Sequence, residues 1–207
     1  MRGIMHKIAG IILVGGKASR LNGENKCDLR IGNKSCLEWT LDIFDGQVEK
    51  IALSVGNQDR YNHGSSHSVV FDWPCEIENP GVAYAILGSL NWAKEAGFDA
   101  IITTPVDTPL LPKTYAARLR SNFDNLAPTV CTTPKGLQGL HAIWPIACWA
   151  KLHNIVVERG ILKISKIHKG LNFAEIDFPH QKMEAFININ DDVSLDQAQK
   201  IWANSNS

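Results

Sequence analysis

The chain has 207 residues, of which 44% are hydrophobic and 20% are charged, and its 21 basic and 21 acidic residues balance to a formal net charge of zero. This composition excludes a disordered chain and a membrane-spanning segment, and the balanced charge argues against a broad nucleic-acid-binding surface. Five scattered cysteines without a C-x-x-C motif are typical of a reducing cytosol, not of a disulfide framework or a zinc site. We therefore expect a cytoplasmic protein in which residues 1–207 form a single domain, with no nucleic-acid or membrane partner.

Predicted strands and helices alternate in the first half of the chain. Short runs rich in β-branched residues predict strands over 8–14, 50–55, 68–71 and 99–104. Helices are predicted over 36–44, 83–96 and 112–123. The first helix begins with a capping box, in which Ser35 and Glu38 satisfy each other's backbone amides. The alternation predicts an α/β fold: a doubly wound, mostly parallel sheet with helices on both faces, as in Rossmann-like proteins.

The second half of the chain is less regular. Strands are predicted over 129–133, 140–144, 173–176 and 185–189. Helices are predicted over 148–158 and 161–168. A second capping box, from Ser194 to Gln197, predicts the start of a C-terminal helix.

The loop after the first strand carries glycines and positive charge. Gly15 and Gly16 end the apolar run, and Lys17, Arg20 and Lys26 follow in a polar segment. Glycines let main-chain N–H groups approach a ligand closely, and ligands of α/β sheets bind beyond the carboxyl ends of the strands. The loop therefore suits a polyphosphate such as a nucleoside triphosphate, although an ordinary βα turn with solvated lysines has the same composition.

Several polar side chains follow the other strands. Asp107 comes directly after the fourth strand, between prolines, where it could hold Mg²⁺ or simply cap the next turn. Asp72 stands at the end of the third strand. In the predicted strand 185–189 and just beyond it, Asn188 and Asn190 alternate and would share one face. His141 could meet a substrate or be a hydrogen-bonded structural histidine.

Three of these stretches resemble one family in sequence. The pattern L-x-G-G-x-x-x-R-L-x-G-x-x-K, from Leu13 to Lys26, is similar to the loop that wraps the triphosphate in the MobA-like nucleotidyltransferases. The segment Val106–Pro112 resembles the second signature of that family, whose aspartate binds the catalytic magnesium, and Phe186–Asp192 resembles its F-x-N-I-N stretch. Their shared order indicates that the resemblance covers essentially the whole chain.

The resemblance implies a fold of the nucleotide-diphospho-sugar transferase type and a set of site residues. Arg20, Lys26 and Asp107 would be catalytic, with Asp107 as the ligand of Mg²⁺, and Asn188 and Asn190 would hold the acceptor. The residues implied to bind the nucleotide are Leu13, Val14, Gly15, Gly16, Ser19, Arg20, Lys26, Asp72 and Asp107.

The resemblance also implies a reaction: the terminal phosphate of molybdopterin attacks the α-phosphorus of GTP, GMP is transferred, and pyrophosphate leaves. The partners would be GTP and the molybdopterin-type acceptor, with transient contacts to other proteins of cofactor biosynthesis. Alternatives are CMP transfer, nucleotidyl transfer to a sugar phosphate, and a catalytically weak nucleotide-binding protein. Two departures from the family pattern favour the weak binder: only Gly81 remains of a G-P-L-A-G-like turn, and Asn25 precedes the lysine where many relatives have aspartate.

Overall fold

The computed structural model describes residues 6–15, 20–21, 23–56, 67–77, 80–178 and 184–205. The strands are β1 (Ile8–Leu13), β2 (Arg20–Leu21), β3 (Glu24–Asn25), β4 (Arg30–Ile31), β5 (Lys34–Ser35), β6 (Lys50–Val55), β7 (Ser68–Phe71), β8 (Ala100–Pro105), β9 (Thr129–Thr133), β10 (Gly136–Pro145) and β11 (Ala174–Asp177). The α-helices are α1 (Cys36–Phe44), α2 (Val82–Glu95), α3 (Tyr115–Ser121), α4 (Trp149–His153), α5 (Ile164–Leu171) and α6 (Asp192–Ser205).

Seven of these strands form one sheet in the order β11-β9-β10-β8-β1-β6-β7. The chain winds outward from β1 through β6 to β7, and then returns to the other side of β1 at β8. β10 runs antiparallel to β8 and β9, whereas the other neighbouring strands of the sheet are parallel. The predicted doubly wound, mostly parallel α/β fold is therefore confirmed.

The two faces of the sheet carry two separate hydrophobic clusters. Ile8 and Ile12 of β1 point into the cluster that includes residues of α1, α3 and α6, and Ala9, Ile11 and Leu13 point into the cluster built with α2, α4 and α5. All six residues of β1 are buried, as expected of a central parallel strand covered on both faces. At Gly10, a Cβ would lie 2.8 Å from the ring of Phe44, so α1 packs directly onto the β1 backbone.

The predicted capping box of α1 is confirmed. The amide of Glu38 donates to the Ser35 hydroxyl at 3.2 Å, and the amide of Ser35 donates to the Glu38 carboxylate at 2.7 Å. Hydrogen bonds from Ser35 to the carboxylate, first from its backbone amide and then from its side chain, lower the pKa of Glu38. α3 begins at Tyr115, later than predicted, because the segment after Pro112 first forms a turn in which the Tyr115 amide donates to the Pro112 carbonyl.

The predicted strand over 185–189 is wrong. Residues 184–186 form a single 3-10 turn, and residues 187–190 have no regular structure. Phe186 and Ile189 are buried as separate anchors in the core, and the amide of Ile189 donates to the carbonyl of Asp107 instead of to a sheet. A short run of apolar residues is compatible with an irregular segment anchored in the core as well as with a strand, so its pattern alone could not distinguish the two.

Two helices near the C-terminus also differ from prediction. The predicted helix over 148–158 divides into α4 and a π-helical turn, Asn154–Glu158. α6 begins at Asp192, and its capping box uses Asp191 and Ser194 instead of Ser194 and Gln197. Across the described residues, none of the helices is long and apolar enough to span a bilayer.

Candidate functional site

The loops that follow β1 and β8 meet at the carboxyl edge of the sheet. The two strands are parallel neighbours, with Leu13 paired to Pro105 at their ends. Beyond this pair, the amide of Val106 donates to the carbonyl of Leu13 at 3.1 Å. The two segments singled out in the sequence, one after each strand, are therefore held side by side.

A small hairpin and the start of α1 position Lys26. β2 and β3 pair antiparallel around Gly23, and Lys26 is the next residue after β3. The side chain of Asn25 accepts a hydrogen bond from the amide of Cys27 at 3.0 Å, and the carbonyl of Cys27 accepts one from the amide of Leu37 in α1 at 3.2 Å. These contacts on both sides turn Lys26 inward, where it is only 2% exposed.

Lys26 joins three distant segments of the chain. Its Nζ donates to Oδ2 of Asp107 at 2.9 Å and to Oδ1 of Asn190 at 2.7 Å. Asn190 lies in the irregular segment that is anchored by the hydrogen bond between Ile189 and Asp107. A lysine ammonium at this depth needs such partners, because burying an unpaired charge is very costly. All three segments that resemble the family signatures thus contribute to one cluster.

Asp107 has one carboxylate oxygen to spare. Its Oδ1 is buried and accepts no hydrogen bond from the described residues, while Oδ2 is engaged by Lys26. Mg²⁺ is usually held by one or two carboxylates together with substrate phosphates, so a single spare carboxylate oxygen fits that ion. Among the residues with described positions, no group of three or more histidine, cysteine or acidic side chains could hold a metal on its own. The donor set therefore fits a magnesium ion that is shared with a phosphate ligand.

The amides at the end of β1 are used by the sheet. Val14 and Gly15 both donate their N–H groups to the carbonyl of Ser54 in β6, at 2.9 and 3.2 Å. Nucleotide binding by Gly15 stays a prediction. Gly15 is required by space, since a Cβ there would lie 2.4 Å from the amide nitrogen of Gly56.

The remaining predicted residues are placed as follows. Gly16 and Ser19 lie outside the described residues, and Arg20 is described only through its backbone in β2. Asp72 follows β7 at the same edge of the sheet, two strands away from β1. Asn188 is exposed and does not share a strand face with Asn190, because that segment is not a strand. The structure therefore brings together Lys26, Asp107 and Asn190.

Two side chains near Asp107 were not selected from the sequence as site residues. Thr108 is 1% exposed, and its hydroxyl lies 2.9 Å from Nε2 of His141. Burial lowers the pKa of His141 to about 3, so its ring is neutral near pH 7. His141 is thus a hydrogen-bonded structural histidine in this structure, the second of the two alternatives, and its position beside the Asp107 turn could be learned only from the pairing of β10 with β8.

The chain matches a known family and known structures. Residues 10–172 match the MobA-like NTP transferase domain family. The chain is 28% identical over 201 residues to a molybdenum cofactor guanylyltransferase of Cereibacter sphaeroides, covering 94% of this chain and 97% of the relative.

Among solved structures, the molybdopterin-guanine dinucleotide biosynthesis protein A of Archaeoglobus fulgidus superposes with a TM-score of 0.72 at 17% identity, covering 95% of this chain and 99% of that one. The 2-C-methyl-D-erythritol 4-phosphate cytidylyltransferase of Thermus thermophilus superposes with a TM-score of 0.69 at 13% identity, covering 94% and 98%. These two likenesses concern the fold. Because the family match runs through both the loop after β1 and the turn at Asp107, we conclude that the chain belongs to the MobA-like NTP transferase family and is a nucleotidyltransferase.

Proposed function

We propose that this nucleotidyltransferase transfers GMP from GTP to the terminal phosphate of a molybdopterin-type acceptor, in a magnesium-dependent reaction that releases pyrophosphate. The observation that carries the proposal is the cluster of Lys26, Asp107 and Asn190, in which a buried cation faces a carboxylate with a spare oxygen. The choice of GTP and of the acceptor is supported by the 28% identical molybdenum cofactor guanylyltransferase, which the chain matches over nearly its full length.

The reaction needs charge neutralisation more than proton transfer. An oxygen of the acceptor phosphate forms a bond to the α-phosphorus, and the bond from that phosphorus to the α,β-bridging oxygen breaks, so pyrophosphate leaves with the electron pair. A phosphate nucleophile is already anionic near neutral pH, so no general base is required. Positioning and electrostatic stabilisation supply most of the catalysis in phosphoryl chemistry of this kind.

Each residue of the cluster has a defined role in this proposal. Lys26 donates to a phosphate oxygen and stabilises the negative charge that develops on the leaving pyrophosphate. Asn190 keeps the ammonium group of Lys26 in place through its side-chain oxygen. Asp107 is the residue that would hold Mg²⁺, which when bound neutralises phosphate charge. Arg20 adds a second positive charge from the same loop, and Asp72 is proposed to contact the nucleotide from the β7 end.

Pyrophosphate release is the direct test of this function. With molybdopterin, Mg²⁺ and GTP, the protein is expected to release pyrophosphate, and Asp107→Asn is expected to lower kcat by at least about 100-fold, in the range seen when one transition-state contact is removed. Asp99→Asn is the matched control. Asp99 precedes the same strand at its opposite end, where its carboxylate accepts a hydrogen bond from the amide of Lys7 at 2.8 Å. That variant should retain normal turnover.

The same assay separates the proposal from its alternatives. Pyrophosphate release from CTP but not from GTP would replace guanylyl by cytidylyl transfer, and turnover with a sugar phosphate in place of molybdopterin would change the acceptor. Tight GTP binding without any pyrophosphate release, even with molybdopterin supplied, would identify a nucleotide-binding protein without catalysis.

Five free cysteines support a reducing compartment, which we propose is the cytoplasm.

A further inference from the structure

A buried histidine supports the turn that carries Asp107. His141 of β10 is 4% exposed, and its Nε2 lies 2.9 Å from the hydroxyl of Thr108, the residue after Asp107. The Thr108 hydroxyl in turn lies 3.0 Å from the carbonyl of Pro105, the last residue of β8. The hydrogen bonds through Thr108 therefore close the turn from Pro105 to Thr108, with Asp107 inside it.

The direction of these hydrogen bonds follows from their chemistry. The Thr108 hydroxyl has one proton, and the Pro105 carbonyl can only accept, so the hydroxyl donates to that carbonyl. With its proton on that carbonyl, the hydroxyl accepts from His141 in the tautomer that carries the ring proton on Nε2. A donor on the histidine is thus needed to complete the chain from β10 to the Asp107 turn.

His141 reaches this turn because β10 is bulged. Its pairing with β9 shifts register between Gln138 and Ala142, so residues 139–141 are extra and have no partner in β9. Bulges of this kind commonly redirect a side chain next to an active site. Here the bulge ends at His141, directly before the pairing with β8 begins and that with β9 resumes.

The bulge is fully supported by polar contacts. The carbonyl of Leu140 accepts a hydrogen bond from the Thr103 hydroxyl at 2.7 Å, and the carbonyl of Gly139 pairs with Nε2 of His168 at 2.8 Å. These two half-buried carbonyls are therefore satisfied, which stabilises the bulge.

We propose that His141 is a positioning residue for Asp107. It acts through Thr108, and keeps the carboxylate oriented with one oxygen on Lys26 and the other available to a metal ion. The inference rests on the proposed function, in which Asp107 holds magnesium. Two other contacts fix the turn, the amide of Ile189 on the carbonyl of Asp107 and the amide of Val106 on the carbonyl of Leu13. His141 fixes it from the third direction, that of β10.

The test measures how much Mg²⁺ tightens GTP binding, without any acceptor and therefore without turnover. The ratio of the GTP dissociation constants in EDTA and in saturating Mg²⁺ is obtained by isothermal titration calorimetry. His141→Phe, which removes the donor but fills the space, is expected to reduce this ratio by about tenfold, as is typical when a group that orients a metal ligand is lost. His141→Gln, which restores an N–H donor, should retain most of the ratio, and Thr108→Val should reduce it as His141→Phe does.

His168→Phe is the control for a purely structural effect. Like His141, His168 is a buried histidine whose pKa is lowered by burial, and it also forms a hydrogen bond to the bulge. Its partner is the carbonyl of Gly139, and not a residue of the Asp107 turn. We expect this variant to lower Tm and to change the ratio much less than His141→Phe does, because the Thr103 hydroxyl still holds the bulge at the Leu140 carbonyl.

The outcomes distinguish this inference from the proposed function. A ratio near one in the unmodified protein, or a ratio unchanged by Asp107→Asn, overturns both. A ratio lost in Asp107→Asn but unchanged in Thr108→Val and in a folded His141→Phe overturns the positioning role alone. If His141→Phe does not fold, Thr108→Val decides by itself.

Discussion

Replacing Lys26 by methionine tests whether the buried ion pair is as important as its geometry indicates. The side chain of Lys26 is 3% exposed and that of Asp107 is 17% exposed. Removing one partner of a buried pair typically costs about 3–5 kcal/mol, because the other charge stays buried without compensation. The partial exposure of Asp107 places Lys26→Met at the lower end, so we expect the free energy of unfolding to fall by about 3 kcal/mol.

This loss can be measured by urea unfolding, followed by tryptophan fluorescence, and by thermal unfolding. At about 2–4 °C per kcal/mol for a chain of this length, Tm should fall by about 6–12 °C. The double variant Lys26→Met/Asp107→Asn should be more stable than Lys26→Met alone, because the uncompensated carboxylate is no longer charged. A double-mutant cycle therefore yields a coupling free energy of at least about 1 kcal/mol.

Lys34→Met is the matched control, because Lys34 also pairs with an aspartate, Asp42, but on the surface. Their side chains are 36% and 46% exposed, and pairs of that kind contribute about 0–1 kcal/mol. If Lys26→Met costs no more than Lys34→Met, or if the losses in the cycle are simply additive, the ion pair does not hold the site together and the reasoning fails.

Three further predictions concern other parts of the site. Stability should fall as the pH is lowered from about 6.5 towards 3, because the buried neutral His141 has a lowered pKa and the unfolded chain takes up the proton first. His141 contributes at most about 1.4 kcal/mol per pH unit to this slope, so the slope should be smaller in His141→Gln, and equal acid sensitivity of the two proteins would contradict this. Asn25→Ala removes the acceptor for the amide of Cys27, so it should lower the free energy of unfolding in urea by about 1 kcal/mol and weaken GTP binding. Asn25→Asp keeps an acceptor and should leave stability and GTP binding near normal, and equal effects of the two changes would refute the role given to this acceptor. Gly15→Ala forces a Cβ to within 2.4 Å of the backbone of Gly56 and should lower Tm by several degrees, and an unchanged Tm would show that β1 and β6 separate easily at that point.

Asn25 also bears on the question of catalytic competence. Its side-chain oxygen shapes the turn before Lys26, a task that needs an acceptor but no negative charge. Asparagine at this position is therefore compatible with a correctly placed lysine.

The turn at Gly81 depends on backbone conformation. Gly81 directly precedes α2 and has φ +70°, a conformation that favours glycine. This backbone conformation therefore favours glycine at position 81.

Two predictions that depend only on neighbouring residues in the chain were accurate, whereas the capping box expected from Ser194 to Gln197 is formed by Asp191 and Ser194 instead. The capping box at Ser35 and Glu38 and the buried strand β1 could be derived from spacing and residue type, since both are set by groups only a few residues apart. The strand expected over 185–189 failed for the opposite reason. Its apolar residues Phe186 and Ile189 are anchored by the core and by Asp107, which are remote in the sequence.

The residue pattern was enough to predict the alternating strands and helices of the first half of the chain, the mostly parallel sheet that follows from them, and the edge of the sheet at which a ligand binds. Which polar groups meet at that edge depends on how the whole chain packs. Lys26 is 81 residues from Asp107 and 164 from Asn190, and the bulge that aims His141 at Thr108 depends on the register of β10 with its neighbours. Local conformation follows from short-range sterics and hydrogen bonds, whereas a shared buried charge requires the packing of the whole sheet, and no local pattern encodes that packing.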